Sequence, residues 1–186
     1  MKNVNFKTAI FLWFLVIFGS VGLAIYSVNK FEERAQEQYL EMLGSEPNSP
    51  SCLRMYNSIE KYSKKYGVPK HIAYNVAYKE TRYQGPFHWS YTPSHISSAA
   101  AVGPMQIITK WAHRFAGRRI TQNELMTNID LNVMVSMKML QYGYKRYKNW
   151  SQALGAYNTG RPIINEYADY CVGNKNYKGN WIRYSR

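Results

Sequence analysis

Glu80 closes an otherwise apolar stripe. Ile72, Val76 and Glu80 recur at i, i+4 and i+8, with Ala73 and Ala77 beside them, and on a helix that spacing makes one face. Pro69, just after Gly67, marks where the helix begins, and Gly85-Pro86 lies just past its end. A carboxyl near a helix C-terminus on an inward face is disfavoured as an anion by desolvation and by the negative end of the helix dipole. Lys79 and Arg82, at i−1 and i+2, do not share its face. The chemistry this predicts is a carboxylic acid that still donates a proton near neutral pH, a general acid. The spacing alone fits equally a helix-end Glu tied to a nearby Arg or backbone N–H, because structural ion pairs perturb pKa values too.

The elements that must hold this acid read as helix after helix from Ser51 onward. Ser51 is placed to cap a segment carrying Leu53, Tyr56, Ile59 and Tyr66, closed by Gly67. After the Glu80 helix, residues 84–98 show neither helical nor strand period and read as an aromatic-rich loop, a groove wall or an ordinary Ω-loop. Ile107, Ile108, Trp111, Ala112 and Phe115 form a further helical stripe. Thr121 and Glu124 stand as a capping box, with Ile120 and Leu125 as its hydrophobic staple. Val133, Met137, Leu140, Tyr144 and Tyr147 line one face of a longer helix. Ser151 caps a short helix over residues 152–158 stopped by Gly160, and Pro162 opens the next, with Ile163, Ile164, Tyr167, Ala168 and Cys171 inward. The expected fold is all-α, with strands at most a minor hairpin.

Charge and length bound the rest. The 186 residues allow one ordinary domain plus an appendage, and 24 Lys+Arg against 11 Asp+Glu give a formal charge of +13. Such an excess points to an anionic partner: nucleic acid, a membrane surface or an acidic polymer. Residues 8–28 carry no charge and are long enough to span a bilayer as a helix. The basic residues ahead of them, Lys2 and Lys7, favour an N-inside orientation. A cleaved signal peptide is the competing reading, and either way the rest of the chain is exported. The expected organisation is an anchor or signal segment at 1–29, a polar stalk or linker at 30–50, a catalytic domain at 51–173 and a basic tail at 174–186. The two cysteines, Cys52 and Cys171, lie in no CxxC or Cys/His cluster, so neither a metal nor another cofactor is expected. In an exported domain they either pair as a disulfide or stay as buried free thiols; the sequence leaves both open.

Three motifs in order carry a resemblance. They are Glu80-Thr81-Arg82-Tyr83, then Ser97 followed by Ala100-Ala101-Val102-Gly103-Pro104-Met105-Gln106, then Ala156-Tyr157-Asn158-Thr159-Gly160. With Asp130-Leu131-Asn132-Val133, they make residues 51–171 resemble the soluble lytic transglycosylase (SLT) domain family, lysozyme-like enzymes that cleave peptidoglycan. Thr81 stands where that family has Ser, Ala100 where it has Gly and Pro104 where it has Leu, and the loop before Ser97 is longer. The resemblance implies that Glu80 protonates the glycosidic oxygen between MurNAc and GlcNAc, then acts as base toward the MurNAc C6 hydroxyl, leaving a 1,6-anhydro ring. It implies that Tyr157 reaches the acid, and that Thr81, Ser97, Met105, Gln106 and Asn158 line the substrate groove.

The expected activity is thus a membrane-anchored lytic transglycosylase outside the cytoplasmic membrane, its partners being peptidoglycan strands and the bilayer around the N-terminal helix. Two alternatives stay open: a goose-type lysozyme-like hydrolase, and a non-catalytic wall-binding component of an envelope-spanning machine. A nucleic-acid partner is excluded by the export segment and by the lack of a helix concentrating Lys and Arg with base-reading side chains.

Overall fold

Local end signals account for most helix boundaries in the computed structural model, which describes residues 6–46 and 48–181, with backbone only for 6–19 and 180. The chain divides into two units, Met1–Leu40 and Glu41–Arg186. The first is helical from Phe6 onward, within α1 (Phe6–Ser45). No break separates the apolar segment from the polar residues after it, because Phe31–Leu43 holds good helix formers and neither Gly nor Pro. Among the described residues no helix is long and apolar enough to cross a membrane. The side chains of residues 8–19, most of the anchor read from the sequence, lie outside the described ones.

The second unit is helical with one small hairpin. Its elements are α2 (Ser51–Tyr66), α3 (Lys70–Thr81), β1 (Ala101–Val102), β2 (Ile107–Ile108), α4 (Thr109–Ala116), α5 (Gln122–Thr127), α6 (Ile129–Tyr147), α7 (Trp150–Thr159) and α8 (Glu166–Gly173). A 3₁₀ turn at Tyr177–Asn180 follows. The long α6 packs against α2 and α7, α7 against α8, and α3 against α2 and α8. Ile59, Ile72, Val76, Val133, Met137, Leu140 and Leu154 are fully buried between them.

Several ends differ from the sequence reading, each for a local reason. Ser51 is the first helical residue rather than the cap of α2, and Pro50 precedes it. Thr121 caps α5 as expected, its Oγ1 accepting from Glu124 N at 3.0 Å. The box is only half made, however, since Glu124 turns its carboxylate to Arg118. Asn149, not Ser151, caps α7, and Asn165 caps α8. The helix expected from Pro162 therefore starts four residues later, leaving Ile163 and Ile164 57% and 51% exposed. Ile107 and Ile108 form a strand instead of a helical stripe, and of the rest of that stripe only Ala112 is fully inward.

The C-terminal residues 174–181 are docked against the domain. Asn174 exchanges hydrogen bonds with the buried Asn75. Trp181 packs on Tyr56 and Tyr74, with ring centroids 6.1 and 5.4 Å away. It also lies across Gly85, where a Cβ would come within 2.4 Å of the indole. Residues 182–186 of the expected tail lie outside the described ones.

Candidate active site

Glu80 stands one residue before the end of α3, on the side packed against α8. The helix closes on Arg82, whose φ of 58° is left-handed, and Tyr83 then turns into the core. Glu80 is partly buried and pairs with no cation among the described residues. Arg82 lies over the Tyr78 ring at 5.3 Å, and Lys79 over the Tyr170 ring at the same distance. The alternative of a structural Glu–Arg pair therefore falls.

One hydroxyl holds the acid. Tyr167, from α8, donates to Glu80 Oε1 at 2.5 Å. Burial pushes the Glu80 pKa up to about 7, against the opposing pull of the Tyr167 hydrogen bond and of Lys79. The Glu80 charge in turn raises the pKa values of Tyr157, Tyr167 and Cys171 beyond what burial does, the Cys171 thiol to about 12. These three groups from α7 and α8 thus share the acid's low-dielectric surroundings.

The family-implied Tyr157 takes a different role. Its hydroxyl donates to Met105 O at 2.7 Å and pairs with Ser136 Oγ at 2.9 Å. Tyr157 thus ties α6 and α7 to the loop between the strands, while Tyr167 is the tyrosine that reaches the acid. Tyr167 was legible as inward-facing from its helical spacing; its partner, 87 residues away in sequence, was not.

The other expected groove residues mostly hold backbone. Thr81 Oγ1 donates to Pro104 O and pairs with Tyr91 OH, both at 2.8 Å, joining the end of α3 to the hairpin turn. Ser97 Oγ accepts from Ala101 N at 3.1 Å. Met105 is fully buried, so its side chain belongs to the core and not to an open groove. Gln106, at a left-handed φ of 48°, donates from Nε2 to Gly103 O at 2.9 Å and to His95 O at 3.2 Å. Asn158 is exposed, its Oδ1 accepting from Asn165 Nδ2 at 3.1 Å.

A residue with no hydrophobic signature fixes the turn. Asn132, fully buried on α6, accepts from Met105 N at 3.0 Å and donates to Val102 O at 3.0 Å and Leu125 O at 2.9 Å. Gly103, at φ 76°, lies so close that a Cβ there would meet Asn132 Nδ2 at 2.4 Å. The turn that faces Thr81 is thus built by an Asn and a Gly together.

Among the described residues no second carboxylate joins Glu80. Asp130 accepts from Ser58 and Tyr62 and pairs with Lys61. Glu60 is held by Lys70 and Tyr74, Glu124 by Arg118, and Glu166 and Asp169 are exposed on α8. No group of three His, Cys, Asp or Glu among the described residues is placed to hold a metal ion. Cys52 and Cys171 are buried free thiols, so the disulfide option is not realised. Burial holds both thiols above their ordinary pKa.

What this arrangement offers is a carboxyl that is about half-protonated near pH 7 and oriented by a phenol, beside a tightly braced turn. No curated protein matches the chain. A family model described as the transglycosylase SLT domain matches residues 57–178, which reaches past Cys171 into the docked C-terminal segment. The match spans most of the chain and takes in Glu80, the hairpin turn, Tyr157 and Tyr167, so the protein belongs to the transglycosylase SLT domain family.

Proposed function

We propose that this member of a peptidoglycan-degrading family cleaves the MurNAc–GlcNAc bond without water, with Glu80 as both acid and base. The Glu80 carboxyl protonates the glycosidic oxygen as the bond from C1 breaks. The resulting carboxylate takes the proton of the MurNAc C6 hydroxyl as that oxygen closes on C1. The acid is restored, and the new end carries a 1,6-anhydro ring. An internal nucleophile has a high effective molarity, which lets one carboxyl do what glycoside hydrolases usually divide between two.

The observation that carries this reading is the Glu80 carboxyl, raised to about 7 with no other carboxylate beside it among the described residues. A group titrating there is protonated in a large fraction of molecules near neutral pH, and the carboxylate it leaves on donating its proton is the base for ring closure. The uncharged residues 8–28 support a further proposal, an uncleaved N-inside anchor that holds the domain outside the cytoplasmic membrane next to the wall.

Digesting purified sacculi and identifying the released muropeptides tests the reaction. The expected products end in 1,6-anhydro-MurNAc, and Glu80→Gln lowers their release at least a hundredfold. Reducing MurNAc ends would mean a hydrolase instead. Full biological activity of the Glu80→Gln variant would mean a wall-binding component.

A further inference from the structure

The positive charge is unevenly placed. Residues 81–165 contain ten Lys and Arg but only two carboxylates, Glu124 and Asp130. Both are engaged, Glu124 by Arg118 and Asp130 by Ser58, Lys61 and Tyr62. The helices α4 and α6 pack together and gather much of the remaining excess. Arg114 of α4 lies over the ring of Tyr142 of α6, its guanidinium carbon 4.8 Å from the centroid. Phe115 meets the same ring edge-on at 5.7 Å, and Lys138 donates to Phe115 O at 2.9 Å, which fixes the two helices there.

Arg146, one turn beyond Tyr142, lies over the Tyr147 ring at 5.6 Å, and the two guanidiniums together draw the Tyr142 hydroxyl below its ordinary pKa. Lys145 is exposed beside it, and Lys110 lies over Trp111 on α4. None of Lys110, Arg114, Lys145 and Arg146 has a carboxylate partner among the described residues. Guanidiniums brought to one phenol with no counter-charge repel each other, and an anion seated between them relieves that repulsion. Their planar forks suit a carboxylate in particular.

We propose that the Arg114–Tyr142–Arg146 face is a second peptidoglycan-binding surface that takes the carboxylates of the stem peptides. It rests on the peptidoglycan reading of the family and adds a site apart from the acid. Ser136 on α6 reaches Tyr157 beside the active site, and Tyr142 lies six residues, about 9 Å, further along the helix. A bilayer is the poorer partner, since insertion needs bare apolar tips. Here the exposed Tyr142 and Trp111 rings each carry a cation, Arg114 and Lys110, so the aromatic tips are not bare.

The test is co-sedimentation of the full chain with intact sacculi at rising NaCl, beside turnover of a short soluble glycan fragment without peptides. Replacing both arginines (Arg114→Gln with Arg146→Gln) is expected to weaken sacculus binding about tenfold and to leave fragment turnover unchanged. The double Arg→Lys variant, which keeps the charge, is expected to retain most of the binding. Sacculi stripped of stem peptides are expected to bind wild type as weakly as intact sacculi bind the double Gln variant. Unchanged binding by the double Gln variant overturns the proposal and leaves the catalytic reading intact. So does equal loss of fragment turnover, which would make the face part of the catalytic groove. A double Gln variant that loses binding to anionic over neutral phospholipid vesicles, while its sacculus binding is unchanged, overturns it in favour of a membrane surface.

Discussion

The Tyr167 hydroxyl donates to Glu80 Oε1 at 2.5 Å, from a helix that begins 86 residues after the acid. The contact sets two properties of the acid at once. It fixes which oxygen remains free toward a substrate, and it stabilises the carboxylate, so the pKa rests at about 7 against the push of burial.

Removing the phenol therefore has a signed effect. In Tyr167→Phe the Glu80 carboxylate loses its hydrogen bond, and its pKa moves above about 7. The general acid must be protonated, so the high-pH limb of the kcat/KM profile is expected to move up by about one pH unit. An unmoved limb with a uniformly lower rate would mean that Tyr167 only packs.

Stability should follow the same group. Glu80 has a folded-state pKa of about 7 against an ordinary value of 4.5, so the folded chain binds the extra proton between those values. Wild-type stability thus falls as pH rises through that window, and the loss is complete above it. Glu80→Gln has no such proton and is expected to be more stable than wild type at pH 8, by about 3 kcal/mol, and nearly equal to it at pH 4. Thermal denaturation of both proteins across pH checks this, and parallel curves would contradict it.

Thr81 separates substrate contact from bracing. Its hydroxyl is spent on Pro104 O and Tyr91 OH. Thr81→Val should cost about 2 kcal/mol of stability and lower kcat with little change in KM. Thr81→Ser should restore both. Steady-state kinetics beside denaturant unfolding distinguish this from a groove contact, which would raise KM and spare stability.

Asn132 makes three buried hydrogen bonds, two to the hairpin and one to α5. Asn132→Ala leaves Met105 N and two carbonyls unpaired, and a loss of about 3 kcal/mol or more is expected. Amide exchange should be fastest to increase over residues 101–106.

The thiols give a simple chemical check. Cys52 and Cys171 are buried and unpaired, so intact mass should be unchanged by reduction. Both thiols should resist alkylation in the native protein and react once it unfolds. A gain of two mass units on reduction would show a disulfide.

Much of this was readable from residue order because its causes are local. Gly67 and Gly160 stop their helices in left-handed conformations, and Thr121 caps α5. The Ile72–Val76–Glu80 stripe puts the acid on the inward side, because period and capping act within a few residues. What stayed hidden depends on partners far along the chain. Helical spacing turns Tyr167 inward, but only tertiary packing decides that it meets Glu80 while Tyr157 meets Met105 and Ser136. Asn132 stood in a segment that carries the resemblance, but its bracing role gave no signal in the periodicity, since a polar side chain among apolar neighbours interrupts the very pattern that reveals a core. Ile163 and Ile164 misled for the opposite reason. They fit a helical stripe, yet the Asn165 cap starts α8 only after them.

The central claim is that Glu80 is half-protonated near neutral pH because its surroundings are poor in water. Following the side-chain carboxyl carbon of Glu80 by ¹³C NMR as pH is varied, with Glu80→Gln to assign the signal, tests this most directly. The account predicts a midpoint near 7. A midpoint between 4 and 5, where an ordinary glutamate titrates, would contradict it.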